Sequence, residues 1–229
     1  MREIVMDTET TGLDPSEGHK VVEIGAVELF NHLPTGKTFH QYINPKRSMP
    51  KEAFDIHGLS IDFLKAYPAF KDIAASFLDF IGSSTLIIHN ANFDVRFLNF
   101  ELGCIGVEEI HTDRVLDTLK LARKKFPGSP ASLDALSRRF KVDISMREKH
   151  GALLDSHILA EIYLELIGGR QPDLELISAQ ERNSSNALND GVFKRGLPLP
   201  SFLTTTEKEA HDKFVKSLGK NCLWNEGSK

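Results

Sequence analysis

Within its first 43 residues the chain holds three apolar, β-branched runs, Glu3 to Thr10, Val21 to Phe30 and Lys37 to Ile43. Their connections are short. Thr11-Gly12-Leu13-Asp14-Pro15 turns the chain after the first run, and the breaker-rich Asn31-His32-Leu33-Pro34-Thr35-Gly36 divides the second from the third. Neighbouring parallel strands need a long crossover, usually a helix, so this spacing predicts an antiparallel meander.

Further along, the apolar period changes. Lys71 to Ile81 has helical spacing, and Thr85 to His89 is a compact run that predicts a buried strand. Phe93 to Leu102 and Val115 to Phe126 read as amphipathic helices, with Glu108 to Thr112 as a further strand between them. Ser132 is placed to cap a helix opening with Leu133-Asp134-Ala135. A last long helix runs from Ala152 to Leu166 and stops at Gly168-Gly169. Strands first, then strands alternating with helices, predict an α/β fold: a mixed β-sheet, antiparallel over its first three strands and flanked by helices. The 229 residues accommodate one large domain and an appendage. After Gly169 the chain turns rich in Ser, Asn, Gly, Pro and Thr, so the expected domain is 1–170, with a flexible linker over 178–206. Residues 207–229 regain helical character, with Ala210, Phe214, Val215, Leu218, Leu223 and Trp224 forming an apolar surface.

Lys and Arg number 28 against 32 Asp and Glu, so a polyanion would not be gripped here by bulk charge. Cys104 and Cys222 have no metal-binding or redox spacing. No apolar run approaches the roughly 20 residues of a membrane span, and the start meets Asp7 before a signal-peptide core forms. A cytoplasmic protein with no membrane partner is the expectation.

Asp7 and Glu9 lie two residues apart at the end of the first strand, so their side chains point the same way. Their repulsion would be relieved by a divalent cation, although two solvated acids on an edge strand would have the same spacing. In His89-Asn90-Ala91-Asn92-Phe93-Asp94, a buried strand leads to a polar turn, and Asp94 falls in the first turn of the next helix. The helix dipole alone would favour an acid there. In His150-Gly151-Ala152-Leu153-Leu154-Asp155, His150 precedes the last helix and Asp155 lies one turn into it. An exposed loop histidine is the simpler account of His150 taken alone.

Asp-x-Glu, then His-Asn-x-x-Phe-Asp, then His-x-x-x-x-Asp form an ordered three-part signature. The chain resembles the DEDDh family of 3′–5′ exonucleases, and within it the epsilon, or proofreading, subunits of bacterial DNA polymerase III. Met6-Asp7-Thr8-Glu9-Thr10-Thr11-Gly12, Ile56-His57-Gly58 and Ser132-Leu133-Asp134-Ala135-Leu136 extend the likeness across about residues 3–167. The resemblance implies a ribonuclease H-like fold and two divalent cations, Mg²⁺ or Mn²⁺, held by Asp7, Glu9, Asp94 and Asp155. It implies His150 as general base, a role that an imidazole's pKa suits. Four carboxylates facing two dications leave little net charge, which turns an acidic cluster into a phosphate site.

Thr8, Thr10, Leu13, His57 and Phe93 are the candidate contacts to the terminal nucleotide, with Phe93 equally suited to the core. Asn90 and Asn92 are read as fixing their turn, and Asp117 and Asp134 as structural residues on helices. Arg123-Lys124-Lys125 is read as a solvated helix face.

Gln171, Leu174 and Leu176 resemble a peptide that docks on the sliding clamp, which makes 171–177 the expected clamp-binding segment. The segment 207–229, with Leu223 and Trp224, resembles the part of epsilon subunits that binds the polymerase alpha subunit. A small theta-like subunit is a further partner implied by the family. The expected function is proofreading: release of nucleoside 5′-monophosphates from a mispaired DNA 3′ end, single-stranded or frayed, by two-metal-ion hydrolysis. A DEDDh exoribonuclease trimming RNA 3′ ends is the alternative enzyme, and an inactive interaction subunit the alternative from another class.

Overall fold

A computed structural model describes residues 1–145, 149–168 and 203–218. Strand β1 (Arg2–Thr10) is the centre of a five-stranded sheet and is buried over most of its length, with apolar Ile4, Val5 and Met6 covering both faces at its middle. The other strands are β2 (Val21–Phe30), β3 (Leu33–Tyr42), β4 (Thr85–Ile88) and β5 (Val115–Asp117), in the order β3-β2-β1-β4-β5. The first three pair antiparallel, and β4 and β5 add parallel to β1 and to β4.

Ile4 and Met6 point to one face, where they meet Phe77 of α3 (Phe70–Ile81) and Phe97 and Leu98 of α4 (Ala91–Cys104). Val5 points to the other, against Leu159 and Tyr163 of α7 (Ala152–Leu166). Two short helices, α5 (Thr118–Lys125) and α6 (Leu133–Phe140), pack on the far side of α7 through Ala122, Leu136, Ile158 and Ile162. The helices α1 (Lys51–His57) and α2 (Ile61–Leu64) lie between β3 and α3, where the sequence signalled only the Ile56-His57-Gly58 motif.

Four element boundaries differ from expectation, each for a local reason. The β2–β3 turn uses only Asn31 and His32, with φ of 50° and 68°. Two left-handed residues match the twist of a hairpin, so β3 begins at Leu33, inside the segment expected to separate the strands. β3 tolerates Pro34 because it is an edge strand. Glu108 to Thr112 forms no strand: the Asn99 side chain takes the Ile110 amide at 2.8 Å and donates to its carbonyl at 3.1 Å, occupying both ladder groups. The fifth strand is instead Val115–Asp117, and the helix expected from Val115 starts at Thr118. Asp117 is its N-cap rather than a helical residue, with Oδ1 accepting from Leu119 N at 2.9 Å and Asn90 N at 3.2 Å. Asn92 lies within α4, and Asn90 alone makes the turn, with φ of 62°.

The chain divides into two compact units, Met1–Leu174 and Glu175–Lys229. In the second, α8 (Thr205–Ser217) starts at a capping box between Thr204 and Glu207 and buries none of its residues; Phe214 and Leu218 are exposed. Among the described residues no helix is long and apolar enough to cross a membrane.

Candidate active site

The parallel strands β1 and β4 pair only as far as Val5 and Ile87. Beyond that point they part, and the crevice off the carboxyl ends of such strands is where α/β sheets bind ligands. Asp7 and Glu9 extend from β1 into this crevice. Asp94 enters from the first turn of α4, and Asp155 from the first turn of α7, on the opposite face of the sheet. All four carboxylates line one cleft of about 470 Å³ together with His150. His150 Nδ1 lies 3.2 Å from Asp155 Oδ2, and its ring is half exposed. Glu9, His150 and Asp155 each bring one ligating atom to within 4.8 Å of the others.

Crowding these acids is electrostatically unfavourable. Burial pushes the Asp7 carboxyl well above its ordinary range, and the neighbouring Asp94, Glu9 and Asp155 push it further. Burial lifts Asp94 to about 7, against the opposing hydrogen bond that Thr8 Oγ1 donates to its Oδ1 at 2.6 Å. Divalent cations bound by these oxygens would offset both effects.

A second cavity of about 460 Å³ abuts the first, sharing Thr8, Glu9 and Phe93, and is lined by Thr10, Leu13 and His57. The five candidate substrate residues therefore surround one space, though not equally openly. Leu13 is 78% exposed, whereas Thr10 is buried and donates to the Gly12 carbonyl at 2.6 Å. His57 is buried, accepts from Leu59 N on Nδ1 at 3.0 Å, and has its pKa pushed down by burial. Phe93 packs on Phe97 in the core and also lines both cavities, so its two expected roles coexist. Gln171, Leu174, Leu176, Leu223 and Trp224 lie outside the described residues.

Two mounting devices went unread in the sequence. Gly25 of β2 sits opposite Asp7, and a Cβ there would stand 2.1 Å from Leu153 N and 2.2 Å from the Ala152 carbonyl carbon. The missing side chain lets the first turn of α7 rest on the sheet. Ser156 Oγ, buried beside Asp155, spans the contact, donating toward Gly25 O at 2.9 Å and Ala152 O at 2.7 Å. A glycine inside a strand does signal close backbone approach, but not which element approaches. The second device holds His150 against α1. Its amide donates to Ile56 O at 3.3 Å, Lys149 Nζ lies 5.1 Å from the Phe54 ring centre, and Gly58 leaves room for the Lys149 stem.

A family model described as "Exonuclease" matches residues 4–163, a span containing all five core positions. The DNA polymerase III subunit epsilon of Rickettsia typhi is 56% identical over 224 residues, covering 95% of this chain and 97% of that one. Its counterpart from Rickettsia prowazekii is 50% identical over the same length and shares. The chain belongs to the epsilon family of DNA polymerase III exonucleases. As an epsilon-family protein it is a 3′–5′ exonuclease, and its family depends on divalent metal ions. The epsilon-family fold is also that of the nuclease domain of 3′hExo, a DEDDh member solved bound to rAMP, at a TM-score of 0.63 and 20% identity over 72% of this chain and 91% of that one.

Proposed function

We propose that the chain is a proofreading subunit that removes nucleoside 5′-monophosphates from mispaired DNA 3′ ends. The convergence of Asp7, Glu9, Asp94 and Asp155 with His150 in one cleft carries this reading. The four carboxylates are an all-oxygen donor set suited to hard cations, Mg²⁺ or Mn²⁺. A pair of such ions would supply charge stabilisation at the phosphate and the departing oxygen and would acidify the attacking water.

The chain's own side chains supply the rest. Asp155 accepts from Nδ1 of His150, which leaves Nε2 as the basic nitrogen that takes the proton of the attacking water. Thr8 holds Asp94 in position. Leu13 and Phe93 offer apolar surface to the terminal base, beside Thr10 and His57. A mismatched end frays more readily, so single strand reaches the cleft more often from a mispaired primer than from a paired one.

The relatives' name supports association with a polymerase. The proposal assigns that contact to 207–229, docking on the sliding clamp to Gln171, Leu174 and Leu176 by their likeness to a clamp-binding peptide, and adds a small theta-like subunit as a further partner. Digestion of a 3′-mismatched DNA duplex, a matched duplex and an RNA oligomer, each with and without chelator, tests the catalytic reading. Faster loss of the mismatched nucleotide, as a 5′-monophosphate and only without chelator, is expected. Preference for RNA, or hydrolysis indifferent to chelator, would overturn it.

A further inference from the structure

The two lobes of the cleft differ in charge. Past the carboxylates, the first is lined by His89, Leu119, Arg123 and, at the start of α6, Ala131, Ser132 and Leu133. The second carries Glu17 and Glu52 beside its apolar residues. Among the described residues, Arg123 is the one Lys or Arg lining either lobe.

Arg123 stands in the last turn of α5, exposed, and makes no ion pair among the described residues. The basic run it belongs to divides its tasks: Lys125 turns away to donate from Nζ to Leu166 O at 3.1 Å, while Arg123 faces the cleft. His89 lines the same lobe as Arg123, and its Nδ1 is 3.0 Å from Thr118 Oγ1. Burial pushes this imidazole's pKa down, so it adds no competing positive charge at neutral pH.

The substrate is equally asymmetric. Beyond the scissile phosphate, the departing nucleotide ends in a neutral 3′-hydroxyl, whereas the retained strand carries a negative phosphodiester at every step. A lobe with two further carboxylates suits the uncharged end, and a lobe with a free guanidinium suits the charged strand. We infer that Arg123 binds the first phosphodiester of the retained strand, which leaves the site across α5, while the terminal nucleoside fills the lobe of Leu13 and His57. The inference rests on the hydrolytic reading above and adds to it a polarity of threading and a phosphate contact.

The test is a two-by-two comparison on single-stranded DNA: wild type and Arg123→Ala, each with an ordinary or an uncharged methylphosphonate linkage at the first retained position. Losing one charged contact should raise KM about tenfold with little change in kcat, whether the charge is removed from protein or DNA. Removing both should cost about the same tenfold, since each change removes the same interaction. Arg123→Gln provides the same comparison if the alanine variant melts abnormally. An unchanged KM in the variants, or losses that compound toward about a hundredfold, would overturn the contact. Failure of the wild type to cut the ordinary strand would instead overturn the hydrolytic reading itself.

Discussion

At the scale of single residues, the site is a set of acids held where acids alone are unstable. Asp7→Asn removes a ligand and a buried repulsion together. Hydrolysis should fall at least about a thousandfold, since metal stabilisation of such transition states is worth several kcal/mol. Under chelation the same variant should melt at a higher temperature than wild type; a lower melting point would contradict the repulsion described at Asp7. The pH dependence follows from Asp94. Its folded pKa of about 7 exceeds the ordinary carboxylate value. The metal-free folded state therefore binds more protons than the unfolded chain between roughly pH 4 and pH 7, and stability declines as pH rises through that window. Divalent cations should thus raise the melting temperature more at pH 8 than at pH 5. A shift that is equal at both, or larger at pH 5, would refute this assignment.

At the scale of elements, α7 is positioned by the absence of a side chain. Gly25→Ala would force its first turn off β2, costing about 1–3 kcal/mol by overpacking. It would also lower kcat about a hundredfold if Asp155 shifts by an ångström; wild-type kcat in a folded Gly25→Ala protein would show that the close approach does not position the carboxylate. Ser156→Ala loses a hydrogen bond worth about 1 kcal/mol and should be milder in both respects. Thermal melts and steady-state kinetics measure both effects. The same scale explains what was legible in the sequence. The strands β1 and β2 and the helices α3, α6 and α7 announced themselves through apolar period and capping, because local sequence controls those features. β5 and the start of α5 did not: Asn99, eleven residues away, takes the backbone groups of Ile110 where a strand was expected, and Asp117 both caps α5 at Leu119 N and reaches across to Asn90 N. The five core site residues could be named from their order along the chain. Gly25, Ser156 and the cleft position of Arg123 could not, since their importance lies in what another element brings against them.

At the scale of the whole molecule, the two compact units divide near the end of α7. Ending the chain near residue 170 should preserve hydrolysis of free oligonucleotides and abolish binding to the polymerase subunit, as gel filtration of the mixture would reveal. Co-elution of the shortened protein would place the polymerase contact within the first unit. Asp7 belongs to the first strand of that unit and Asp155 to its last described helix. A polypeptide still emerging from the ribosome therefore lacks its final acid until almost the entire unit has been made. Partial chains stalled before Ala152 should be harmless to nucleic acid, so that synthesis itself acts as a safety catch on a destructive enzyme.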